Sequence, residues 1–340
     1  MKKILTLSLL FVAALGFAQE EETPSFTISG SVDAYYRANI TAPNDENAIA
    51  PGSSFANLPG FALGMANVVF GYEGEKAGFV ADLVFGPRGT DAIFASPMYS
   101  ATGNIVNQLY AYWNVSESVT LTMGNFNTFL GYEVISPSAN FNYSTSYLFS
   151  YGPFSHTGLK ADFALSEDFS LMLGVFNDTD LTEFNPTGDY AFGAQLGYSG
   201  QYLNFLLDPS FTEIDFTGGF DLSDDFYLGI NAAYLSVEDD GGTFMGAALY
   251  PQYAMSDSFS LGLRGEYFAE TDYFGAIGAS DADGDASVIA LTLTGSYSVD
   301  NLTIKPELRL DSASEEAFID NDLAGSKSLG SFVLAAIYSF

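Results

Sequence analysis

Large apolar and polar residues alternate with period two along most of this chain, and short polar turns interrupt the alternation repeatedly. One complete copy of the unit lies in residues 115–171. It opens on Ser116-Glu117-Ser118 and continues as a strand in which Val119, Leu121 and Met123 take alternate positions. A connection of roughly 28 residues (128–155) follows, against about 2–5 in an ordinary hairpin loop. The chain returns with Leu159, Ala161, Phe163 and Leu165 alternating with Gly158, Lys160, Asp162 and Ala164, then closes on Ser166-Glu167-Asp168. A short turn at one end, a long connection at the other and period two between them predict the hairpin of a membrane β-barrel.

The turn recurs at Ser223-Asp224-Asp225 and Ser256-Asp257-Ser258, and as the variant Ser298-Val299-Asp300-Asn301. Weaker equivalents are Glu73-Gly74-Glu75-Lys76 and Ser199-Gly200-Gln201. Ser and Asp suit such reversals because their side chains bond the turn backbone, and Gly accepts positive φ. Seven short turns with both termini on the same side give sixteen strands, about 20 residues per strand and connection. The expected strands are 26–37, 61–72, 78–86, 105–115, 119–127, 156–165, 169–177, 189–198, 202–208, 211–222, 226–237, 243–255, 259–269, 286–297, 302–311 and 330–340. The pair around Asp208-Pro209-Ser210 is the least regular, so counts of fourteen to eighteen stay open. The fold class expected is all-β: a transmembrane antiparallel up-and-down barrel with the short turns and termini periplasmic and the long loops outside.

Alternation also assigns the two faces. In 302–310, Leu302, Ile304, Pro306, Leu308 and Leu310 oppose Thr303, Lys305, Glu307 and Arg309. In 259–267, Phe259, Leu261, Leu263 and Tyr267 oppose Ser260, Arg264 and Glu266. A soluble antiparallel sheet would alternate in the same way. Here the pattern persists through the whole chain with aromatics near strand ends, where membrane girdles sit. The polar face is then the lumen, which about sixteen strands leave wide enough for water. Its expected lining includes Asp33, Arg37, Lys160, Asp162, Arg264, Glu266, Lys305, Glu307 and Arg309.

Connection 128–155 is too apolar to extend into water, because exposing its aromatics would cost several kcal/mol at about 25 cal/mol per Å². It is expected to fold inward or pack on the rim, with Tyr132, Glu133, Phe141, Tyr143, Tyr147 and Tyr151 forming a constriction. The wall eight places on, strands thirteen and fourteen, carries with its neighbours Arg264, Lys305 and Arg309, and Arg37 lies past the closure. Glu133 would face this basic wall across a transverse field. Ordinary ion pairing to Glu266, Glu307, Asp311 and Asp33 is the plain alternative, and the two are compatible.

Composition narrows the class further. Lys2 and Lys3, an apolar run from Ile4 to Leu15, and Gly16-Phe17-Ala18 read as a removable signal peptide, 1–18, leaving 19–340 as one barrel domain. The apolar run is too short for a spanning helix, and no later stretch approaches one. With no cysteine there are no disulfides and no thiolate chemistry. The net charge of −32 argues against nucleic acid or anionic lipid bound through a basic patch. At the other end, Phe332, Leu334, Ala336, Tyr338 and Phe340 share a face. A terminal aromatic behind alternating apolar residues resembles the signal read by the bacterial barrel-assembly machinery.

The run Gly124 to Glu133, followed by Asn140, Ser144, Ser146 and then Gly152-Pro153-Phe154-Ser155-His156-Thr157-Gly158, resembles the OmpL-like family of β-barrel porins. The specific part is confined to about residues 122–160. The resemblance implies a channel for small solutes in the outer membrane of a Gram-negative bacterium, in contact with outer-membrane lipid and open to homo-oligomers. It supplies no substrate.

Catalysis finds little support. His156 is the only histidine, and its neighbours Ser155 and Thr157 point to the opposite face of a strand. Its plain role is to hydrogen-bond loop backbone where the long loop returns. A plugged transporter of about 22 strands is disfavoured, since only a few residues precede the first strand. Asp281, Asp283 and Asp285 copy the start of a calcium loop, but Ala286 and Thr292 replace the Gly and Glu that an EF-hand needs. A looser loop-bound calcium site is the one cofactor the sequence offers. A porin without other cofactors is thus expected, with a non-conducting structural or adhesive barrel as the alternative.

Overall fold

The computed structural model describes residues 24–93, 105–182 and 185–340; the expected signal peptide lies outside them. The strands are β1 (Ser25–Asn39), β2 (Gly60–Glu73), β3 (Ala77–Phe85), β4 (Val106–Ser116), β5 (Val119–Asn127), β6 (Ser155–Ala164), β7 (Phe169–Phe176) and β8 (Ala191–Tyr198). They continue as β9 (Gln201–Leu207), β10 (Phe211–Asp221), β11 (Phe226–Val237), β12 (Thr243–Ser256), β13 (Phe259–Thr271), β14 (Ala286–Val299) and β15 (Leu302–Ala313). A two-stranded ribbon, β16 (Phe318–Ile319) and β17 (Gly325–Ser326), precedes the last strand, β18 (Ser328–Ser339). All but the ribbon form one closed barrel of sixteen strands, each antiparallel to its chain neighbours. Closure is made by β1 against β18, and Gly30 and Phe340 exchange backbone hydrogen bonds of 3.0 Å at the seam.

The count of sixteen and the antiparallel order agree with the sequence reading. The irregular pair is real: β9 and β10 join through Asp208-Pro209-Ser210, with the Asp208 amide donating to the Phe211 carbonyl at 2.9 Å. Differences fall in the connections, where α1 (Pro87–Asp91), α2 (Tyr147–Tyr151) and the β16–β17 ribbon carry no period-two signal.

The turn serines explain their own recurrence. Ser166 Oγ accepts from the amides of Asp168 (3.3 Å) and Phe169 (3.1 Å), and Ser223 and Ser256 do the same two and three residues on. The side chain closes the reversal that the backbone alone leaves open. Ser199-Gly200 is a two-residue hairpin turn with both φ positive, 47° and 83°, the geometry that matches strand twist and calls for Gly at its second position.

Alternation becomes two environments. On β14 and β15, Leu291, Leu293, Leu308 and Leu310 are exposed on the outside while Thr292, Thr294, Glu307 and Arg309 are buried inside. The outer face is apolar all round, a surface far larger than soluble monomers expose, and a closed barrel leaves no unpaired strand edge. Among the described residues no helix is long and apolar enough to cross a membrane.

Candidate functional site: a loop clamped across the barrel interior

The long connection leaves β5, turns into the barrel and reaches the far wall. Its backbone is held there by strand side chains. Arg264 on β13 donates to Glu133 Oε1 (2.7 Å), the Ser144 carbonyl (2.6 Å), the Thr145 carbonyl (3.1 Å) and Thr292 Oγ1 (3.1 Å). Glu266 accepts the amides of Tyr147 (3.0 Å) and Leu148 (2.8 Å), the first residues of α2. Glu307 on β15 accepts the amides of Tyr143 (2.8 Å) and Ser144 (3.1 Å), the Ser144 hydroxyl, and Thr294 Oγ1 (2.7 Å). Lys305 donates to the carbonyls of Asn140 (2.5 Å) and Pro137 (3.2 Å), and Arg309 to that of Thr145 (2.7 Å). Opposite charges thus take opposite ends of the peptide dipole.

The loop also ties itself. Glu133 Oε2 accepts the Ser146 amide (2.8 Å) and hydroxyl (2.5 Å), and Ser146 caps α2 by accepting from the Phe149 amide (3.0 Å). On β10 Asp215 accepts the Gly131 amide (3.1 Å), and Asp180 accepts the amides of Phe154 and Ser155 (2.7 Å each) where the loop rejoins the barrel. Burial pushes the Asp180 carboxyl up to about 7 despite these donors.

Aromatic rings fill the remaining space. Tyr132 stacks on Tyr250 at 4.2 Å, and Phe141 covers Gly262 so closely that no Cβ could stand there. Tyr143 donates its hydroxyl to Asp33 on β1; burial, with Asp33 adding to it, raises its pKa. Tyr147 packs against Phe268 at 5.6 Å, and Tyr151 donates to the Ala276 carbonyl at 2.9 Å.

The structure therefore joins Asp33, Arg264, Glu266, Lys305, Glu307 and Arg309 to the loop segment 133–148, while Tyr132, Phe141 and Tyr151 pack on Tyr250, Gly262 and Phe268. Three expectations change. Arg264 and Glu133 touch rather than face each other across an open gap. Of the ion pairs expected along the wall itself, Arg309–Asp311 (2.8 Å) forms, while Glu266 and Glu307 hold loop amides instead. Along this wall the loop occupies the space expected to hold water, so Arg264, Glu266, Lys305, Glu307 and Arg309 are all buried.

Other residues stand apart from this network. Arg37 donates to the Ile49 carbonyl (3.2 Å) in the first long connection. Lys160 and Asp162 pair with each other at 3.0 Å on β6 and are partly exposed. Asp281 Oδ1 accepts the amides of Asp283 (2.9 Å) and Asp285 (3.0 Å), which closes a turn. Among the described residues no group of three or more Asp, Glu, His or Cys is arranged to hold a metal ion.

His156 is fully buried, with Nε2 2.9 Å from Thr128 Oγ1 and its ring near Phe129 and Phe176. It links the two ends of the loop, through a side chain rather than the backbone expected.

Sequence reasoning missed Arg88, which donates to the carbonyls of Ile135 (2.8 Å) and Tyr143 (3.1 Å) under the Phe55 ring. Burial lowers its pKa, and Tyr143 and Asp33 oppose that shift. Its only sequence signal is that a basic residue is rare in this chain.

The barrel resembles solved outer-membrane proteins. The channel DcaP of Acinetobacter baumannii superposes with a TM-score of 0.59 at 13% identity, over 94% of this chain and 99% of that one. An anion-selective porin from Comamonas acidovorans gives 0.59 at 12%, over 94% and 100%. The trimer form of OmpT from Vibrio cholerae gives 0.55 at 12%, over 94% and 100%. Identities this low carry the fold alone. No curated protein matches the chain. The family described as "Putative beta-barrel porin-2, OmpL-like" matches residues 25–340, which is the whole barrel, and the chain belongs to that family.

Proposed function

We propose that the protein is a passive diffusion channel for small hydrophilic solutes or ions in the outer membrane of a Gram-negative bacterium, with loop 128–155 as its constriction. Membership of a porin family supports the class, and the apolar outer belt supports contact with outer-membrane lipid. The observation that carries the constriction is the loop's attachment to β13 and β15 through Arg264, Glu266, Lys305, Glu307 and Arg309. The loop crosses the interior and narrows whatever path remains. The excess of acidic residues over basic ones favours cations at the mouths. His156, the residue a hydrolytic alternative would need, is sealed among aromatic rings.

Export by residues 1–18, recognition of Phe340 by the assembly machinery and homo-oligomers belong to the same reading. Liposome swelling with sugars, amino acids and salts tests it: entry of small solutes supports a channel, and exclusion of all of them refutes one. A non-conducting structural or adhesive barrel is the second reading, favoured by the near-complete burial of Arg37, Arg264 and Arg309.

A further inference from the structure

We propose that Glu213 and Asp215 hold a single monovalent cation, sodium in its chemistry, in a small cavity between β10 and the inward loop. The two residues sit two apart on one strand, so both carboxylates point into the barrel. Their circumstances differ. Asp215 accepts from the Gly131 amide (3.1 Å) and from the side-chain amides of Asn204 and Asn231 (2.6 Å each). Glu213 is 2% exposed, and its Oε2 has no hydrogen-bond partner. The acidic charges that act on it, Asp215 and Asp180, make its isolation worse. No basic side chain forms an ion pair with Glu213, Asp215 or Asp180 among the described residues. An ionised carboxylate left dry and unpaired is strongly disfavoured, so a positive charge has to come from outside the chain or the group has to take a proton.

The space beside it selects the occupant. A cavity of about 10 Å³ is lined by Glu213, Asp215 and Asn231 on the wall and by Gly131, Gly152 and Pro153 on the loop. That is roughly the room of one water-sized sphere, too little for an organic cation or a hydrated divalent ion. The donor set points the same way. The carboxylates of Glu213 and Asp215 are hard oxygen donors, and no His or Cys lines the cavity, which disfavours transition metals. Gly152 carries no side chain into this space, and an ideal Cβ there would stand 3.8 Å from Glu213 Oε1. A sodium ion here balances the charge of Glu213, the carboxylate that has no donor at Oε2. The site does not depend on whether the barrel conducts.

The test compares the unfolding midpoint of the detergent-purified protein in sodium chloride and in N-methyl-D-glucamine chloride at equal ionic strength and fixed pH. Sodium is expected to raise the wild-type midpoint by a few degrees, and Glu213→Gln is expected to abolish the difference. Crystals of the wild-type protein soaked in thallium(I) should show an anomalous peak beside Glu213 Oε2, an observation that stands even if the variant fails to fold. Equal midpoints in the two salts, a sodium effect that survives in Glu213→Gln, or thallium crystals without that peak would each overturn the proposal in favour of a proton or a water.

Discussion

Arg264 and Glu133 lie 131 residues apart in sequence and meet at 2.7 Å, with neither side chain exposed. One stands on β13 and the other on the loop that leaves β5, so this pair spans the interior of the barrel. Removing one partner leaves the other charged and dry. Arg264→Met is therefore expected to destabilise the folded barrel by about 3–5 kcal/mol, read as a shift in urea unfolding. Arg264→Met with Glu133→Gln should recover part of that loss; no recovery would mean that the lost bonds to the Ser144 and Thr145 carbonyls dominate.

Gly262 lies under the Phe141 ring with no room for a Cβ. Gly262→Val is expected to push the ring and its segment of loop off β13, at about 1–3 kcal/mol for an overpacked site. Fluorescence quenching of a probe placed at Ser138 by a soluble quencher should increase. Unchanged quenching and stability would show that Phe141 yields without moving the loop.

Asp180 supplies a pH dependence of definite sign. Its carboxyl is raised from 3.8 to about 7, so the folded protein binds the proton more tightly than the unfolded chain. Its contribution is complete below 3.8 and is lost as pH rises through about 7. The stability of wild type relative to Asp180→Asn should fall across that window and be level above it. A rise in the same window would contradict the assignment.

The serines of the short turns each satisfy turn amides, as Ser166 does for Asp168 and Phe169. Ser166→Ala, Ser223→Ala and Ser256→Ala are each expected to cost about 0.5–1.5 kcal/mol in unfolding experiments. Their effects should add, because the three turns are separate in the barrel.

The barrel was legible because strand spacing and turn chemistry repeat. Strand 259–269 of the sequence reading is Phe259–Thr271, and even the irregular strands flanking Pro209 pair as expected. The inward face of β15 was legible too, as Lys305, Glu307 and Arg309. What these residues bind was not, because a polar residue on an inner face reads the same whether its partner is water or a loop amide. Helix α2 escaped for a related reason: its first amides are fixed by Glu266, more than a hundred residues away, and by Ser146, and no local period marks it. Arg88 had no pattern at all around it.

Single-channel conductance in a planar bilayer, wild type against a deletion of residues 138–151, tests most directly whether the loop constricts a pore. The deletion removes the segment that Glu307, Arg264 and Arg309 hold, and leaves β5 and β6 paired from Val119↔Phe163 to Asn127↔Ser155. Channel function with a constricting loop predicts a measurable wild-type conductance and a larger one in the deletion. Equal conductance in two folded barrels, or none in either, would contradict it.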